Sequence, residues 1–443
     1  MSDFKYIIFF LVIFFGVPVG FILAKKYPIV EKILWFLLLF FTARTEDINF
    51  ISMETYRGTS KGFEIGLVDI TAMIIFLIIF SRREKYPITL PIGSFLYFIY
   101  FALSCISIIN SDIYIYSFFE LWKMIRMYFY FFVIYNLIHS FKDIEQFLNY
   151  MVIIVFFITI IVLKQKYLDG IFQAQGPFPH QNSLVMYLII YGSLFLSYLL
   201  NVKKANIILW TLAFGACAID ILSTLSRGGM ALFSLAIFVI FLFSYIHKFT
   251  LRKVGVAGLF LILGTGVLYK ASDTIMERIR TAPEESVDVR LVLAQAAQNM
   301  ANEKIFGVGL NNFALKINPP YTYGDHIERI HEDDKGGLVE TIYLMIAAET
   351  GWLNLAVFIY MLLFFYFLNI KNYMKLKEGN WRKYRYICIA LIGALLSIYL
   401  QSSLEWVLKQ TNNFYQLMFI FAIIGASSKI IKERISDGNK NSK

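Results

Sequence analysis

Two arginines lie at positions where their side chains can bind an anion at the edge of an apolar segment. Arg227 lies in the sequence STLSRGGMALF, directly after one apolar run, and Gly228 and Gly229 open the next helix. A guanidinium beside a helix N-terminus makes a phosphate site. Arg290 lies in the first turn of a predicted outer helix, where the helix dipole disfavours a cation. Arg227 and Arg290 are therefore candidate anion ligands, and a water-facing surface arginine is the structural alternative for each.

Three charges interrupt an earlier apolar run. Glu120, Lys123 and Arg126 lie in the sequence ELWKMIR, and their spacing of three places them on one helix face. Ionisable residues within a membrane helix are rare and often functional. Arg126 is therefore a third candidate anion ligand. The alternative is an internal ion-pair network that only orients helices.

A polar cluster late in the chain offers candidate general bases. Residues 326–334 contain two histidines and several carboxylates, but their spacing matches no strong zinc pattern. His331 is the favoured base within the cluster because the pKa of imidazole lies near neutrality. Glu340 begins the next membrane helix, where a carboxylate also suits the helix dipole. Glu349 lies deeper, so its charge needs a partner.

Two further outer loops carry polar side chains that can line a substrate site. His180 and Asn182 end the sequence QGPFPHQN, in which Asn182 can cap the following helix. Glu405 and Lys409 flank a short loop and, four residues apart, can pair with each other. We take His180, Asn182 and Glu405 as structural or substrate-lining residues.

The elements that must position these residues are membrane helices. Of 443 residues, 58% are hydrophobic and 16% are charged, whereas an ordinary soluble domain has roughly 25% charged residues. Long apolar runs alternate with short charged clusters, and each crossing needs about 20 apolar residues in a helix. The pattern predicts an all-α polytopic transmembrane bundle of about 12–13 spans. The predicted spans are 6–23, 29–43, 64–80, 91–109, 114–138, 146–164, 182–200, 205–223, 229–246, 254–270, 338–370, 386–402 and 413–430.

Two of these spans have a second interpretation. The first could be a signal peptide, but the sequence FILAKKYP after it offers no clear cleavage site, so we interpret it as a retained helix. The span 338–370 is long for one crossing, so it either tilts or begins outside the lipid. The whole chain, residues 1–443, is expected to be one integral membrane domain.

Lysine and arginine set the orientation. Basic residues collect in alternate connections, such as 25–26, 82–85, 203–204, 248–253 and 371–385, and in the C-terminal tail. These connections are therefore expected to be cytoplasmic, with the C-terminus inside and, on a count of 13 spans, the N-terminus outside. The net charge of +10 is explained by this bias, and no basic face interleaved with aromatic residues indicates nucleic-acid binding. The three cysteines lie far apart in predicted spans, which excludes a disulfide framework or a cysteine metal site.

The large outer loop, residues 271–337, lies between the tenth and eleventh spans. Its segment 287–303 is predicted to be an amphipathic helix with an apolar stripe at helical spacing. The stripe residues are Val289, Leu293, Ala296, Ala297 and Met300. The sequence IFGVGLNNF then turns the chain, because Gly307 and Gly309 permit backbone geometry that other residues resist.

From residue 176 to the C-terminus the chain resembles the O-antigen ligase and polymerase superfamily of bacterial membrane glycosyltransferases. The resemblance depends on ordered weak motifs: GPFPHQN, LSRGG, Arg290 followed by FGVGLNNF, and VETIYLMIAAETGWLN. It implies transfer of a glycan from undecaprenyl pyrophosphate to an acceptor hydroxyl, on the periplasmic or exterior side of the bacterial cytoplasmic (inner) membrane. Such enzymes act in lipopolysaccharide and polysaccharide biosynthesis without a nucleotide sugar, and neither a cofactor nor a metal is expected.

The resemblance also implies partners and roles. The expected partners are the undecaprenyl-pyrophosphate-linked donor, a glycan or lipid-linked acceptor, membrane lipid and, for a polymerase, a chain-length regulator. By analogy Arg227 and Arg290 are expected to contact the pyrophosphate, and Arg126, which lies outside the segment of resemblance, is a further candidate contact.

One departure from the pattern bears on the type of transferase. Ligases usually carry His-Asn where this chain has Glu340-Thr341, and Asn354 replaces a usual glycine although Gly351 is in place. Either Glu340 or His331 then acts as the base, or the chain is not a core ligase. The change favours a polymerase. A transporter or flippase of lipid-linked or small polar substrates is the alternative from another class, although no internal repeat supports it.

Overall fold

The computed structural model describes residues 2–202, 205–258, 262, 265–266, 285–326, 337–377 and 379–440. Within these ranges the chain is helical apart from its loops and one two-stranded antiparallel sheet. Helices satisfy their own backbone hydrogen bonds, as a chain in hydrocarbon requires. The predicted polytopic helical bundle is confirmed.

The helices differ in length but run along most of the described chain. Up to residue 247 they are α1 (Ser2–Leu11), α2 (Val17–Lys26), α3 (Pro28–Ala43), α4 (Leu67–Ser81), α5 (Ser94–Ser107), α6 (Tyr114–Leu137), α7 (Phe141–Leu163), α8 (Gln181–Asn201), α9 (Ile207–Ser223) and α10 (Arg227–His247). From residue 285 they are α11 (Glu285–Glu303), α12 (Phe313–Lys316), α13 (Ile342–Thr350), α14 (Trp352–Lys375), α15 (Arg385–Gln401) and α16 (Thr411–Lys440). Short 3-10 turns cover Ile108–Asn110, Gly379–Tyr384 and Val407–Lys409, and π-helical turns cover Val12–Gly16 and Lys164–Leu168.

The chain forms two compact units, each assembled from segments that are distant in sequence. Unit 1 contains Met1–Met151, Val292–Leu368 and Glu405–Lys443, and unit 2 contains Val152–Leu291 and Asn369–Leu404. A single integral membrane domain for the whole chain stays a prediction.

Ten of the thirteen predicted spans coincide with apolar helices of the described residues. Seven helices are long and apolar enough to cross a membrane: Tyr6–Lys26, Phe141–Leu168, Gln181–Asn201, Arg227–His247, Trp352–Lys375, Trp381–Gln401 and Thr411–Arg434. Three shorter ones are Leu67–Ser81, Ser94–Asn110 and Ile207–Ser223. Of the remaining predicted spans, 29–43 is α3 and 114–138 is the charged α6, whereas most of 254–270 lies outside the described residues.

The long predicted span at 338–370 is two helices. Gly351 separates α13 from α14 and has a φ of +87°. A Cβ at Gly351 would lie 2.0 Å from the carbonyl oxygen of Ile305, so only glycine fits this turn. The backbone N–H groups of Val308 and Gly309 also donate to the carbonyl oxygens of Ala348 and Glu349, at 2.8 and 3.0 Å. The loop after α11 is thereby fixed to the end of α13.

The predicted helix of the large outer loop is confirmed as α11. Its side chains Leu293, Ala296, Ala297 and Met300 are buried in one apolar core, whereas the side chain of Val289 lies outside the described residues. Val308, Phe313, Ile317, Val339, Met345 and Ala348 complete that core. Burial of this stripe therefore attaches the outer loop to unit 1.

A β-hairpin precedes α4. No element was predicted for residues 44–63, and the end of the hairpin, residues 64–66, was predicted to begin a membrane helix. Strand β1 (Asp47–Ser52) pairs antiparallel with β2 (Gly62–Gly66), and Asp47 lies opposite Gly66. The strands are only six and five residues long, which is too short for alternation to be recognised in an aromatic-rich chain.

Unit 2 is built around α8, whose residues are almost all buried between α9, α10 and α15. Glycines permit the close approach of these helices. A Cβ on Gly393 would lie 2.9 Å from the carbonyl oxygen of Ala236, and one on Gly192 would lie 3.0 Å from Cε2 of Phe233. Small residues at helix contacts are the usual packing device in membranes.

The Gly351 turn gives a stability prediction. We expect Gly351→Ala to lower the melting temperature of the detergent-purified protein, with a loss of roughly 1–3 kcal/mol from the positive φ and a further loss from the clash. Gly170→Ala is the matched control, because Gly170 has a φ of +66° and a Cβ added there would meet nothing within 4 Å. A larger drop for Gly351→Ala supports the backbone contact, and equal drops contradict it.

Candidate functional site

His180 caps the N-terminus of α8 in unit 2. Its Nδ1 accepts a hydrogen bond from the backbone N–H of Asn182 at 3.3 Å. A ring nitrogen that accepts is unprotonated, so the neutral ring carries its proton on Nε2 and presents one N–H donor. The predicted capping by Asn182 is wrong, because α8 begins at Gln181 and the buried Asn182 lies in its first turn.

Arg290 is close enough to His180 to act on it electrostatically. Burial of the imidazole lowers the pKa of His180, and the positive charge of Arg290 lowers it further. Both effects disfavour the imidazolium and keep His180 neutral at pH 7. The side chain of Arg290 is exposed at the described surface of α11.

A strained turn places Arg227 at the start of α10. Leu225 has a φ of +52°, a left-handed conformation that non-glycine residues rarely adopt. The next residue, Ser226, caps α10 by accepting from the backbone N–H of Gly229 at 3.2 Å. Arg227 is then the first helical residue, with its side chain exposed. Such strain is typical of functional sites, where packing enforces it.

The N-termini of α8 and α10 meet beside the end of α15. A Cβ on Gly229 would lie 2.6 Å from Cγ1 of Val185, so glycine lets the first turns of α8 and α10 touch. A Cβ on Gly228 would lie 3.4 Å from Leu404, and the side chain of Gln401 donates to the carbonyl oxygen of Asn182 at 3.3 Å. Unit 2 therefore brings Arg227, Arg290 and His180 to two helix N-termini. We call this set the cationic rim (His180, Arg227, Arg290).

Unit 1 contains a buried charge cluster (Glu120, Lys123, Glu349 and Lys409). Lys123 lies 2.7 Å from Glu120, and Lys409 lies 2.8 Å from Glu349 and 3.9 Å from Glu120. Each of these side chains is at most 5% exposed. Two carboxylates balance two ammonium groups, which is the condition for burying them. The predicted need of Glu349 for a partner is met by Lys409, whereas the expected pairing of Lys409 with Glu405 stays a prediction.

The outer loops complete the hydrogen bonds of this cluster. Ser60 and Thr59, between the hairpin strands, donate to Glu120 at 2.6 and 2.8 Å. The side-chain oxygen of Asn311 accepts from the backbone N–H of Thr59 at 2.8 Å, and the hydroxyl of Tyr56 donates to the carbonyl oxygen of Asn311. Asn311 therefore joins the first outer loop to the loop after α11.

Arg126 lies in a second ionic group of unit 1. Its guanidinium is 2.8 Å from Asp69, 3.4 Å from Glu64 and 3.5 Å from Asp47, and its side chain is 4% exposed. Burial raises the pKa of Asp47 to about 6, although the positive charge of Arg126 opposes the shift. Three carboxylates surround one guanidinium here, so they would repel an added phosphate. This is the internal network that the sequence analysis gave as the alternative, and an anion-binding role for Arg126 stays a prediction.

The remaining predicted site residues lie in unit 1 or beyond the described ranges. Glu340 is half-buried just before α13 begins, and Glu405 is half-buried just before the turn Val407–Lys409. His331 lies outside the described residues. Asp69 was not among the predicted site residues, although its carboxylate in the apolar sequence LVDITAMII was a signal for it.

A family model matches part of the chain. No curated protein matches the chain significantly. The family model of O-antigen ligase matches residues 212–359, about a third of the chain. The matched segment contains Arg227, Arg290, the glycine turn after α11, Glu340 and Gly351. Residues 212–359 are therefore similar to an O-antigen ligase domain, which matches the superfamily that the sequence motifs resemble.

Proposed function

We propose that the protein transfers a glycan from undecaprenyl pyrophosphate to a sugar hydroxyl on the outer face of the bacterial cytoplasmic membrane, and that it is a polymerase rather than a core ligase. The cationic rim is the observation that carries the proposal. It combines two exposed guanidinium groups, a neutral imidazole N–H and two helix N-termini within one unit.

Each of these groups suits a diphosphate. Guanidinium groups bind phosphate oxygens through paired N–H donors. The first backbone N–H groups of a helix lack intrahelical acceptors, and the helix dipole adds partial positive charge. His180 adds a donor that stays uncharged at pH 7, because Nδ1 is held by the backbone of Asn182.

The same groups favour the reaction. The bond between the anomeric carbon and the diphosphate oxygen breaks, and its electron pair leaves with the diphosphate. The acceptor oxygen bonds to the anomeric carbon and gives its proton to a base. Negative charge grows on the diphosphate as the bond breaks, so Arg227 and Arg290 stabilise the transition state more than the ground state.

We assign the general base to Glu340, with His331 as the second candidate. Glu340 occupies the position at which related ligases usually carry histidine, and a carboxylate can accept the hydroxyl proton. Because the ligase histidine is replaced, the acceptor is proposed to be a lipid-linked repeat unit of a polymer rather than a core sugar. A transporter of such lipids is the competing function, and it requires no base.

Loss of either rim arginine tests the diphosphate site. We expect Arg227→Gln and Arg290→Gln each to lower glycan transfer about 10²–10³-fold while membrane insertion stays normal. The measurement is transfer from purified undecaprenyl-pyrophosphate-linked glycan in reconstituted vesicles. Arg44→Gln is the matched control, because exposed Arg44 pairs with Glu46 in the first outer loop. Full activity in both rim variants contradicts the proposal.

His180 gives a pH prediction. Protonating Nδ1 removes the acceptor for the Asn182 N–H, so activity should fall on the acid side, below the usual pKa range of histidine. His180→Asn keeps an acceptor and an N–H donor without titrating, so it should retain most activity and flatten the acid limb of the pH profile. His180→Leu should lose about tenfold or more at every pH. An unchanged acid limb in His180→Asn contradicts the role of His180.

Replacement of Glu340 distinguishes a transferase from a transporter, because only the transferase requires a general base. We expect Glu340→Gln to lower the turnover number about 10²–10⁴-fold with donor binding unchanged. Glu303→Gln is the control, because Glu303 is an exposed carboxylate that accepts from Tyr323 at 2.7 Å. If Glu340→Gln and His331→Ala both keep full turnover, the base assignment is wrong. Donor movement across vesicles without transfer would favour the transporter.

A further inference from the structure

The C-terminal end of α10 in unit 2 is held by cations that bind carbonyl groups. The ammonium of Lys253 donates to the carbonyl oxygens of Ser244 and Lys248, at 2.6 and 2.9 Å. The guanidinium of Arg382 donates to the carbonyl oxygen of His247 at 3.1 Å. These contacts place cationic donors on the carbonyl groups at the C-terminal end of the helix.

Arg385 belongs to the same group. Its Nη1 lies 2.8 Å from Nδ1 of His247, and its Nε donates to the carbonyl oxygen of Tyr373 at 3.1 Å. The guanidinium also lies 3.7 Å from the centre of the Tyr373 ring. All of these partners are neutral. We call the group the basic collar (His247, Lys248, Lys253, Arg382, Arg385).

Within the described part of the chain, no carboxylate compensates the charge of the basic collar. Four of its members are cations, and a helix C-terminus supplies only about half a negative charge. Among the described residues, the ion pairs join no carboxylate to any member of the collar. Burial, together with the positive charge of Lys248, lowers the pKa of Lys253 to about 8. This differs from the buried charge cluster of unit 1, where charges balance.

Apolar side chains surround the same turn. Ile246, Phe249 and Leu251 are 68%, 69% and 84% exposed, although they are adjacent in sequence to Lys248 and Arg252. Large exposed apolar groups interleaved with cations are typical of a segment at the boundary between acyl chains and headgroups.

We propose that the basic collar binds the headgroup phosphate of an anionic phospholipid. The phosphate supplies the missing negative charge, and the acyl chains cover Ile246, Phe249 and Leu251. Basic pockets between membrane helices on the cytoplasmic side bind such headgroups. The collar lies in connections that the positive-inside rule assigns to the cytoplasm, whereas the cationic rim lies at the opposite end of α10. The collar is therefore a site separate from the one proposed for transfer.

The test measures lipid retention by the whole chain. Protein is reconstituted in nanodiscs of phosphatidylcholine with or without phosphatidylglycerol, and bound lipid is counted by native mass spectrometry alongside the melting temperature. We expect selective retention of phosphatidylglycerol and a higher melting temperature with it. The double variant Lys248→Gln/Arg382→Gln, at two exposed positions, should weaken retention roughly 10–30-fold. Arg382→Lys should retain most of the binding.

Arg82→Gln is the matched control. Arg82 is also a basic residue of a predicted cytoplasmic connection, but both its terminal nitrogens pair with Glu31 at 2.8 Å in unit 1. Its replacement should leave phosphatidylglycerol retention unchanged. Equal retention of the two lipids by the wild type, or an equal loss in Arg82→Gln, overturns the proposal. Full stabilisation by inorganic phosphate without anionic lipid would assign the collar to a soluble phosphate and overturn the lipid assignment.

Discussion

The free-energy cost of burying charged side chains determines how the segments of unit 1 are joined. Glu120 and Lys123 lie on α6, where an unpaired charge costs several kcal/mol, so each needs a fixed partner. The partners come from distant outer segments: Lys409 from the turn before α16, Glu349 from the end of α13, and Ser60 from the hairpin loop. The loops of unit 1 are consequently attached to its helices by charge pairing as well as by the apolar stripe of α11.

The charged side chains of unit 2 are arranged differently from those of unit 1. Arg227 and Arg290 are exposed at helix N-termini, where the dipole is also positive, and the collar cations bind neutral carbonyls. A folded chain gains nothing from collecting like charges in this way, so we propose that ligands bring the compensating negative charge. Arg126, which is paired with three carboxylates, therefore differs from the exposed Arg227, for which we propose an anionic ligand.

Helical periodicity and motif order predicted much of this arrangement. The apolar stripe of α11 and the turn at Gly307 followed from local spacing, because one face of a helix must be buried. The pairing of Lys409 with Glu349 could not be predicted from local spacing, because the two residues are 60 positions apart in the sequence. The break at Gly351 was also missed, because one glycine in an apolar run does not by itself end a helix. Its cause is the backbone of Ile305, which lies against it only in the folded chain.

The long separation of partners in the charge cluster has a consequence for biogenesis. Lys123 donates to the carbonyl oxygen of Lys409, which the ribosome adds 286 residues later. Until then the charge cluster on α6 is incomplete, and an unpaired charge costs about 2.5–3.5 kcal/mol at the centre of a membrane helix during insertion. The partners of α6 that are synthesised before it lie in the preceding hairpin. We therefore expect α6 to insert into the membrane together with that hairpin and to remain near the membrane interface. The helix then reaches its final position only after the last part of the chain has been synthesised.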